Sequence, residues 1–276
     1  MRPIIDLHMH TSASDGTQKP AELLKVIQEK NIELFSITDH DSISNIDEMI
    51  ILADKANISF IPGVEVSAMY HGQEFHLLTY GIRTDDPELG KILSINQQVR
   101  ETHNRKVIEY VSTFSSEVSV LDYDAYVRNL SRGGWKSENY LSEKSVTHSL
   151  NDFFDIVGKM EEQLIFPKLE ELLPKLSSLG YPVVLAHPPA YNRRQLLPFK
   201  TLDELRDLGI SGIECYSPYF RFESDTIYYR NYCKRNNMFI TCGSDHHGDF
   251  IPARVLGIPR INRDQISFDR LLELAK

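Results

Sequence analysis

Histidines and carboxylates that could bind metal ions recur at well-separated places in this sequence. The first place is His8-Met9-His10, and Asp15 follows it in a Ser-Asp-Gly turn. Alternate side chains of a strand point to the same face, so His8 and His10 could bind the same ion. The remaining candidate donors occur in five short segments, which are Thr38-Asp39-His40-Asp41, Pro62-Gly63-Val64-Glu65, His76, Ala186-His187-Pro188 and Gly243-Ser244-Asp245-His246-His247.

The types of donor indicate which ions they could bind. Imidazoles and carboxylates without thiolates suit zinc, iron or manganese, and the donor set alone does not select among the three. These donors are more numerous than one tetrahedral ion requires. We therefore expect two or three divalent ions. The three cysteines, Cys215, Cys233 and Cys242, lie in apolar stretches without CxxC spacing and are predicted to be buried packing residues.

The elements that carry these donors alternate between short apolar runs and longer stretches of helical periodicity. Strands are predicted at 4–7, 34–38, 59–61 leading into 64–66, 75–80, 183–186, 212–216 and 239–242. Helices are predicted at 20–30, 43–55, 169–179, 201–208 and 224–236. Such alternation predicts an α/β fold with a mostly parallel sheet. About seven such strands could close into a barrel, with the reactive residues at the carboxyl ends of the strands.

Metal-binding residues lie at the end of, or within, every predicted strand except the sixth, which is 212–216. A single histidine is weak support for a site, because most histidines are ordinary core or surface residues. A shared position at six strand ends is hard to obtain by chance. The pattern resembles the way in which barrels assemble active sites.

The segment 88–166 departs from this alternation. Apolar residues recur in it at helical spacing, for example at Val99, Val107 and Val111, and no buried strand is evident. We interpret it as a helical insertion that caps the open end of a barrel formed by 1–87 and 167–276. The alternative is a helical flank that never meets the site.

Composition excludes several classes of function. The 276 residues are 41% hydrophobic and 25% charged, as in ordinary soluble domains. Thirty basic against thirty-nine acidic residues give a net charge of −9, which argues against binding of duplex nucleic acid or anionic membranes. Bound metal ions could still attract an anionic substrate. No signal peptide and no apolar run of about 20 residues is evident, so we expect a cytoplasmic protein without a membrane span. The oligomeric state is left open.

The ordered motifs resemble those of the PHP (polymerase and histidinol phosphatase) family of metal-dependent phosphoesterases, and most of all its stand-alone small-substrate branch. The matching segments are HMHTSASDGTQKPAELLKVIQEKNIELFSITDHDSISN, PGVEVSA, AHP and GSDHHG, which span about 1–82 and 180–258. The resemblance implies a distorted seven-stranded (β/α) TIM-like barrel with up to three metal ions. It implies one ion at His8, His10, Glu65 and Asp245, a second at Glu65, His76 and His187, and a third at Asp15, His40 and His247.

A mechanism follows from this resemblance as a hypothesis. Two ions that share Glu65 would also share a hydroxide, which would attack phosphorus in line. The third ion and cationic side chains would hold the phosphoryl oxygens. The proton for the leaving group could come from His247, Asp41 or a metal-bound water, and the sequence does not choose among them.

One departure from the family pattern concerns substrate binding. Nucleotide-type members usually carry a Gly-Arg-Pro-His-like stretch in the inserted segment, whereas the corresponding stretch here, 136–148, contains no arginine. The candidate replacements for the phosphate clamp are Lys136, Lys144, Arg193 and Arg194.

The predicted function is hydrolysis of a phosphate ester of a small metabolite or nucleotide. Four alternatives stay open. These are a histidinol phosphate phosphatase, an oligonucleotide nuclease, a metal-dependent amide or amine hydrolase, and a non-enzymatic regulatory module that keeps its metals for structure.

Overall fold

Short buried strands, most of them followed by a helix, form the framework of the structure, a computed structural model that describes residues 3–192 and 195–275. The strands are β1 (Ile4–Asp6), β2 (Ile32–Phe35), β3 (Ser59–Phe60), β4 (Gly63–Tyr70), β5 (Gln73–Tyr80), β6 (Val183–Leu185), β7 (Gly212–Tyr216) and β8 (Phe239–Cys242). The helices are α1 (Pro20–Glu29), α2 (Ile46–Ala56), α3 (Pro87–Ser112), α4 (Val120–Ala125), α5 (Lys136–Glu143), α6 (Leu150–Val157), α7 (Leu169–Ser178), α8 (Phe199–Leu208), α9 (Glu223–Arg235) and α10 (Phe268–Leu272).

Helices α1 and α3 begin at residues that favour a helix N-terminus. Helix α1 has Pro20 in its first turn, where the missing N–H removes no helical hydrogen bond, and it buries Leu23, Leu24 and Ile27. Asp86 caps the 26-residue helix α3, because its carboxylate accepts hydrogen bonds from the backbone N–H groups of Glu88 and Leu89 at 3.0 and 3.2 Å. All five predicted helices are therefore present, to within three residues at each end.

The strands form two sheets rather than one continuous barrel. One sheet has the order β1-β2-β3, and the other has the order β4-β5-β6-β7-β8. The predicted α/β class is confirmed, whereas the closed seven-stranded barrel is not. The third predicted strand is divided, since Pro62 has no N–H to continue the ladder of β3 and the chain begins a new pairing at Gly63.

The predicted parallel pairing holds for four pairs of strands but fails at the two pairs that include β5. Strands β4 and β5 form an antiparallel hairpin, and β5 also pairs antiparallel with β6. The hairpin turn is His71-Gly72, with φ of 48° and 77°. Two successive residues with positive φ match the twist of a two-residue hairpin turn, and glycine accepts such a φ without strain. The hairpin brings Glu65 and His76 onto neighbouring strands.

Isolated bridges join the two sheets at the carboxyl ends of their strands. Met9 bridges His246 on one side, and His40 bridges Glu65 on the other. The backbone N–H of His10 donates to the carbonyl of His246 at 2.8 Å, and that of Asp41 donates to the carbonyl of Glu65 at 2.8 Å. The candidate site residues therefore lie where the two sheets meet.

The helical segment from α3 to α6 has an apolar cluster of its own. Its buried members are Val107, Ile108, Val111, Val118, Tyr123, Tyr140, Leu141, Phe153 and Met160. A larger cluster lies between the two sheets and their surrounding helices. None of the described helices has both the length and the apolar character needed to cross a membrane.

The packing around β8 makes a testable prediction. A Cβ added at Gly243 would overlap His8 Cβ and would lie 2.7 Å from Glu214 Oε1, so Gly243→Ala should lower the free energy of unfolding by about 1–3 kcal/mol. The matched control is Gly90→Ala in α3, where an added Cβ meets no atom within 4 Å. That change should stabilise the protein by about 0.5–1 kcal/mol through helix propensity. Urea unfolding of both variants tests the pair, and a Gly243→Ala protein as stable as wild type would contradict this packing.

Candidate metal centre

The carboxylate of Glu65 on β4 lies at the centre of a group of five imidazoles. Its Oε2 is 3.1 Å from His8 Nε2, 3.2 Å from His10 Nε2 and 3.3 Å from His40 Nδ1. Its Oε1 is 3.1 Å from His76 Nδ1 and 3.1 Å from His187 Nε2. The two oxygens thus face two different sets of nitrogen donors. Such an arrangement suits a carboxylate that bridges two ions.

Asp245 completes the first of these sets. Its Oδ1 lies 3.0 Å from His10 Nε2 and 3.2 Å from His8 Nε2. One donor atom from each of His8, His10, Glu65 and Asp245 falls within 4.8 Å of the others, and all four residues are buried. The sequence places these residues on β4 and after β1 and β8, and the fold brings them together.

A second group forms around Asp15, in the loop between β1 and α1. The donor atoms of His10, Asp15, His40 and His247 also lie within 4.8 Å of one another. Asp15 Oδ2 is 3.4 Å from His247 Nε2, and Asp15 Oδ1 is 3.7 Å from His10 Nδ1. A third group consists of His40, Glu65 and His76. All nine metal ligands expected from the sequence therefore converge on one region.

The donor set fits divalent ions. It contains imidazoles and carboxylates only, because the three cysteines are free and buried elsewhere, as predicted. His8 Nε2 and His10 Nε2 lie 3.2 Å apart, which is short for two ring nitrogens that share neither a proton nor a metal ion. The Nδ1 atom of His40, which faces Glu65 Oε2, is buried without a hydrogen-bond partner. Buried polar atoms are nearly always satisfied, so this nitrogen is suited to bind an ion.

The electrostatics of the group show how strongly its charges depend on one another. Burial alone would raise the pKa of Glu65, but the positive charges of His8 and His76 hold it well below its ordinary value. Burial opposes protonation of His76, yet the carboxylates of Glu65 and Glu74 raise its pKa to about 10. Burial lowers the pKa of His40 well below the ordinary value, with help from the neighbouring imidazolium groups. The five rings therefore cannot all carry a proton.

Two of the candidate ligands are held in an unusual backbone conformation. His187 has φ of 25° and Asp245 has φ of 51°, and both values lie in the left-handed region that residues other than glycine rarely adopt. Each follows the end of a buried strand, and Pro188 and Pro189 come directly after His187. Strain of this kind persists where surrounding structure fixes it, and it is concentrated at functional sites.

The buried carboxylate of Glu214 was not among the site residues predicted from the sequence, and it lies on β7, the strand predicted to carry no donor. Its Oε1 lies 3.0 Å from His8 Nδ1, and its Oε2 accepts a hydrogen bond from the backbone N–H of His187 at 2.7 Å. A carboxylate that binds the second nitrogen of a metal-binding histidine fixes the orientation of the ring. The signal was present in the sequence, because a glutamate inside an otherwise apolar strand must be paired.

Other carboxylates orient the centre in the same way. Glu74 Oε1 lies 3.0 Å from His76 Nε2. Asp39 does not contact His40, beside which it lies in the sequence. It accepts hydrogen bonds instead from Thr11 and Ser14, at distances from 2.6 to 2.8 Å, and so holds the loop that carries Asp15.

The carboxylate of Asp41 faces helix α3. Its Oδ1 accepts hydrogen bonds from the backbone N–H of Ser67 at 2.9 Å and from Asn96 Nδ2 at 2.7 Å. Its Oδ2 lies 3.8 Å from the guanidinium of Arg100, which is beyond hydrogen-bond distance. These contacts connect α3 to the sheet, and the role of Asp41 as one of three candidate proton donors stays a prediction.

A cavity of about 330 Å³ opens above the candidate metal centre. Its floor is formed by Asp15, His40, His76, His187, Asp245 and His247. The helical segment provides part of the wall through Trp135, Glu138, Leu150, Phe153 and Phe154. The helices therefore meet the site, and a flank that lies away from it is not what the structure shows.

Hydrogen bonds fasten this helical segment to the loop of Asp15. The backbone N–H of Gly134 donates to the carbonyl of Asp15 at 2.8 Å, and Arg128 donates to the carbonyl of Ser12 at 2.8 Å. The ring centroid of Trp135 lies 5.8 Å from that of His40. Wall and floor are thus in direct contact.

The lysines predicted as phosphate-binding groups do not line this cavity. Lys144 pairs with Asp122 Oδ2 at 2.5 Å, and Lys136 lies 4.5 Å above the ring of Tyr123, beside a neighbouring cavity. Both side chains thus contact residues of α4, which are Tyr123 and Asp122. Arg193 and Arg194 lie outside the described residues.

Comparison with known proteins identifies the family. A model described as the PHP domain matches residues 6–178, which is more than half of the chain. The chain belongs to the PHP family. A 5'-3' exoribonuclease of Haemophilus influenzae is 24% identical over 225 residues, which cover 76% of this chain and 77% of the relative. A 3',5'-nucleoside bisphosphate phosphatase of Chromobacterium violaceum is 23% identical over 269 residues, which cover 92% of this chain and 90% of the relative.

A solved structure shows the same fold. The protein comes from Bifidobacterium adolescentis and is classed, without an established activity, as a metal-dependent phosphoesterase. It superposes with a TM-score of 0.82 at 22% identity, over 100% of this chain and 98% of the other. The predicted PHP membership and phosphoric ester hydrolysis are confirmed by the family match and these relatives.

The cavity wall makes a prediction about pH. Burial of Glu138 raises its pKa from 4.5 to about 7, and its Oε2 has no hydrogen-bond partner. The folded state therefore binds this proton more tightly than the unfolded state does, and stability falls as pH rises from about 4.5 to 7. In chelator-treated protein, Glu138→Gln should raise the free energy of unfolding at pH 8 by roughly 1–2 kcal/mol, with no gain at pH 4.

Denaturant unfolding at the two pH values measures this difference. The exposed Glu117 provides the control, because Glu117→Gln should leave the stability unchanged at both pH values. An equal gain for Glu138→Gln at pH 4 and pH 8 would exclude titration of this carboxyl group as the cause.

Proposed function

We propose that the nine converging residues bind two or three divalent ions and hydrolyse a phosphate ester of a nucleoside or other small metabolite. The observation that carries this proposal is the position of Glu65, whose two oxygens face two separate sets of imidazoles at 3.1–3.3 Å. When bound, such ions supply a water of lowered pKa and positive charge for the phosphoryl oxygens.

The ligand assignment in this proposal is the one that the family resemblance implies, and its first set coincides with a group in the structure. His8, His10, Glu65 and Asp245 would hold one ion. Glu65, His76 and His187 would hold a second, and Asp15, His40 and His247 a third. Manganese, zinc and iron all suit these donors. Glu214 and Glu74 would keep His8 and His76 in the orientation that binding requires, since each accepts at the remaining ring nitrogen.

The other residues of the cavity would contact the leaving group of the substrate. Trp135, Phe153 and Phe154 form an apolar wall above a strongly polar floor, which suits a phosphate ester with a ring-shaped leaving group. The helical insertion, 88–166, would act as the cap of this site. Glu138 in the wall holds a proton below about pH 7 and, like His247, faces the space where a leaving group would lie.

The relatives support substrates of this class. The names of two of them specify phosphate esters of nucleosides or nucleotides, one a bisphosphate and the other an RNA. We favour a small substrate over a long strand, because the cavity is enclosed on one side by helices and the chain carries a net charge of −9. Histidinol phosphate is a second candidate monoester. Assays with a nucleoside bisphosphate, histidinol phosphate, a short oligoribonucleotide and an amide as substrates separate these possibilities.

We propose the cytoplasm as the compartment of this protein.

Removal of the charge on Glu65 tests the proposed centre. Glu65→Gln keeps the size of the side chain but loses the negative charge that five imidazoles surround. We expect turnover to fall by more than about 100-fold, which exceeds the effect of losing an outer partner of a metal ligand, together with loss of bound metal. Metal analysis and an assay with a nitrophenyl phosphate measure both effects.

A matched control is Glu162→Gln, at a glutamate that is 61% exposed and pairs with Lys106. It should change neither metal content nor rate. Full activity and full metal content in the Glu65→Gln protein would refute the assignment of the centre.

The exposed ring of Phe154 tests the proposed substrate. Phe154 is 59% exposed at the edge of the cavity, so its truncation should leave the fold intact. Phe154→Ala should raise KM for a nucleoside phosphate by about 5- to 100-fold, since base–aromatic stacking contributes about 1–3 kcal/mol. KM for a sugar phosphate should stay within twofold.

Phe114 is the control, because it is 61% exposed and does not line the cavity. Phe114→Ala should alter neither KM. An equal rise for both substrates in Phe154→Ala would show that the ring does not select a base.

A further inference from the structure

Arg254, in the loop after β8, is the one lysine or arginine among the described residues that lines the cavity above the metal centre. Asp15, Glu74 and Asp245 place carboxylates in the same lining. A phosphoryl group carries negative charge, so these carboxylates would repel it, whereas the bound ions and Arg254 would attract it. This arginine was not among the residues predicted from the sequence to bind phosphate.

Two contacts fix the guanidinium group at the edge of the centre. Arg254 Nη1 lies 2.6 Å from Asp245 Oδ2, and Nη2 donates to the hydroxyl of Tyr219. The guanidinium carbon also lies 5.0 Å from the centroid of the Tyr219 ring. Most of the side chain is buried, with 23% of it exposed, and the residue lines the cavity. The group is therefore held in place before a ligand arrives.

The carboxylate of Asp245 divides its two oxygens between the metal centre and this arginine. Oδ1 faces His8 and His10, at 3.2 and 3.0 Å. Oδ2 accepts from Arg254 and from the hydroxyl of Tyr219, which lies 3.0 Å away. The outer oxygen is thus neutralised, and the inner oxygen is left to bind an ion.

The guanidinium group has more N–H donors than its two contacts require. It carries five N–H groups in a rigid plane, and its contacts with Asp245 and Tyr219 involve Nη1 and Nη2. The residue also lines the cavity. Planar guanidinium donors match phosphoryl oxygens better than a lysine does.

We propose that Arg254 binds a non-bridging phosphoryl oxygen of the substrate and, with Tyr219, orients Asp245 for metal binding. This proposal rests on the phosphoesterase function proposed above and adds a specificity residue to it. It predicts that Arg254 and Tyr219 affect different measurements, because only the arginine contributes a charged contact to phosphate, whereas the tyrosine contributes contacts to Asp245 and to the guanidinium group.

The test uses the manganese-loaded full-length protein and inorganic phosphate as the probe. Calorimetric titration gives the phosphate affinity, metal analysis gives the manganese content and affinity, and steady-state kinetics give kcat and KM. Arg254→Ala should weaken phosphate binding and raise KM by about 10- to 100-fold, the effect of losing a charge-assisted hydrogen bond. Arg254→Lys should restore part of the phosphate affinity, because it restores the charge without the planar donors.

Tyr219→Phe separates the two roles. It should weaken manganese binding to about the same extent as Arg254→Ala does, and it should lower phosphate affinity far less than Arg254→Ala does, because the guanidinium charge and its ion pair with Asp245 remain. Arg263→Ala is the control, since Arg263 is 56% exposed and pairs with Glu33 outside the cavity. It should change none of these quantities.

The possible failures are distinguishable. A wild-type protein that binds phosphate and hydrolyses phosphate esters, with unchanged phosphate affinity in Arg254→Ala, would overturn the role of Arg254 alone. A wild-type protein that binds phosphate without hydrolysing any ester would overturn the proposed function, and the titrations would still decide the role of Arg254. A manganese-loaded wild type that does not bind phosphate would overturn both.

Discussion

One buried negative charge, on Glu65, determines how this site must be built. The side chain has no exposed surface, and a carboxylate taken out of water is stable only when positive charge and hydrogen-bond donors replace its hydration. Five imidazoles meet this requirement at 3.1–3.3 Å. They come from four separate parts of the chain, so the carboxylate can be neutralised only after the sheets have assembled. Bound ions would satisfy the same requirement more completely, since they bind the carboxylate and the neutral imidazoles at once.

The same stretches of chain hold the two sheets together. The backbone of His10 bonds to that of His246, the backbone of Asp245 bonds to that of His8, and Asp41 bonds to Glu65. Backbone hydrogen bonds therefore position the side chains that form the centre, with little freedom left to adjust. This coupling explains why the packing at Gly243 matters for His8, and why His187 and Asp245 can be kept in the left-handed region.

Floor and wall of the site come from different cores. The floor rests on the strands and on the apolar cluster between the sheets and the surrounding helices, whereas the wall rests on the separate cluster within the helical segment. The hydrogen bonds of Arg128 and Gly134 to the loop of Asp15 connect the two. In the proposed function, metal binding and substrate selection therefore belong to parts of the chain that could change independently.

The sequence by itself determined the donor types, their position at strand ends and the family to which the chain belongs. Those features are local, because alternation of apolar runs and helices is readable along the chain and the nine donors follow the strands. It did not predict that β4 and β5 form a hairpin, since a turn such as His71-Gly72 changes strand direction without changing the apolar pattern. Nor did it predict Glu214 and Arg254, or show that Lys144 points away. Only the tertiary structure decided which oxygen of Asp245 faces the histidines and which faces the arginine, because those contacts join residues that are far apart in the chain and depend on how the two sheets meet.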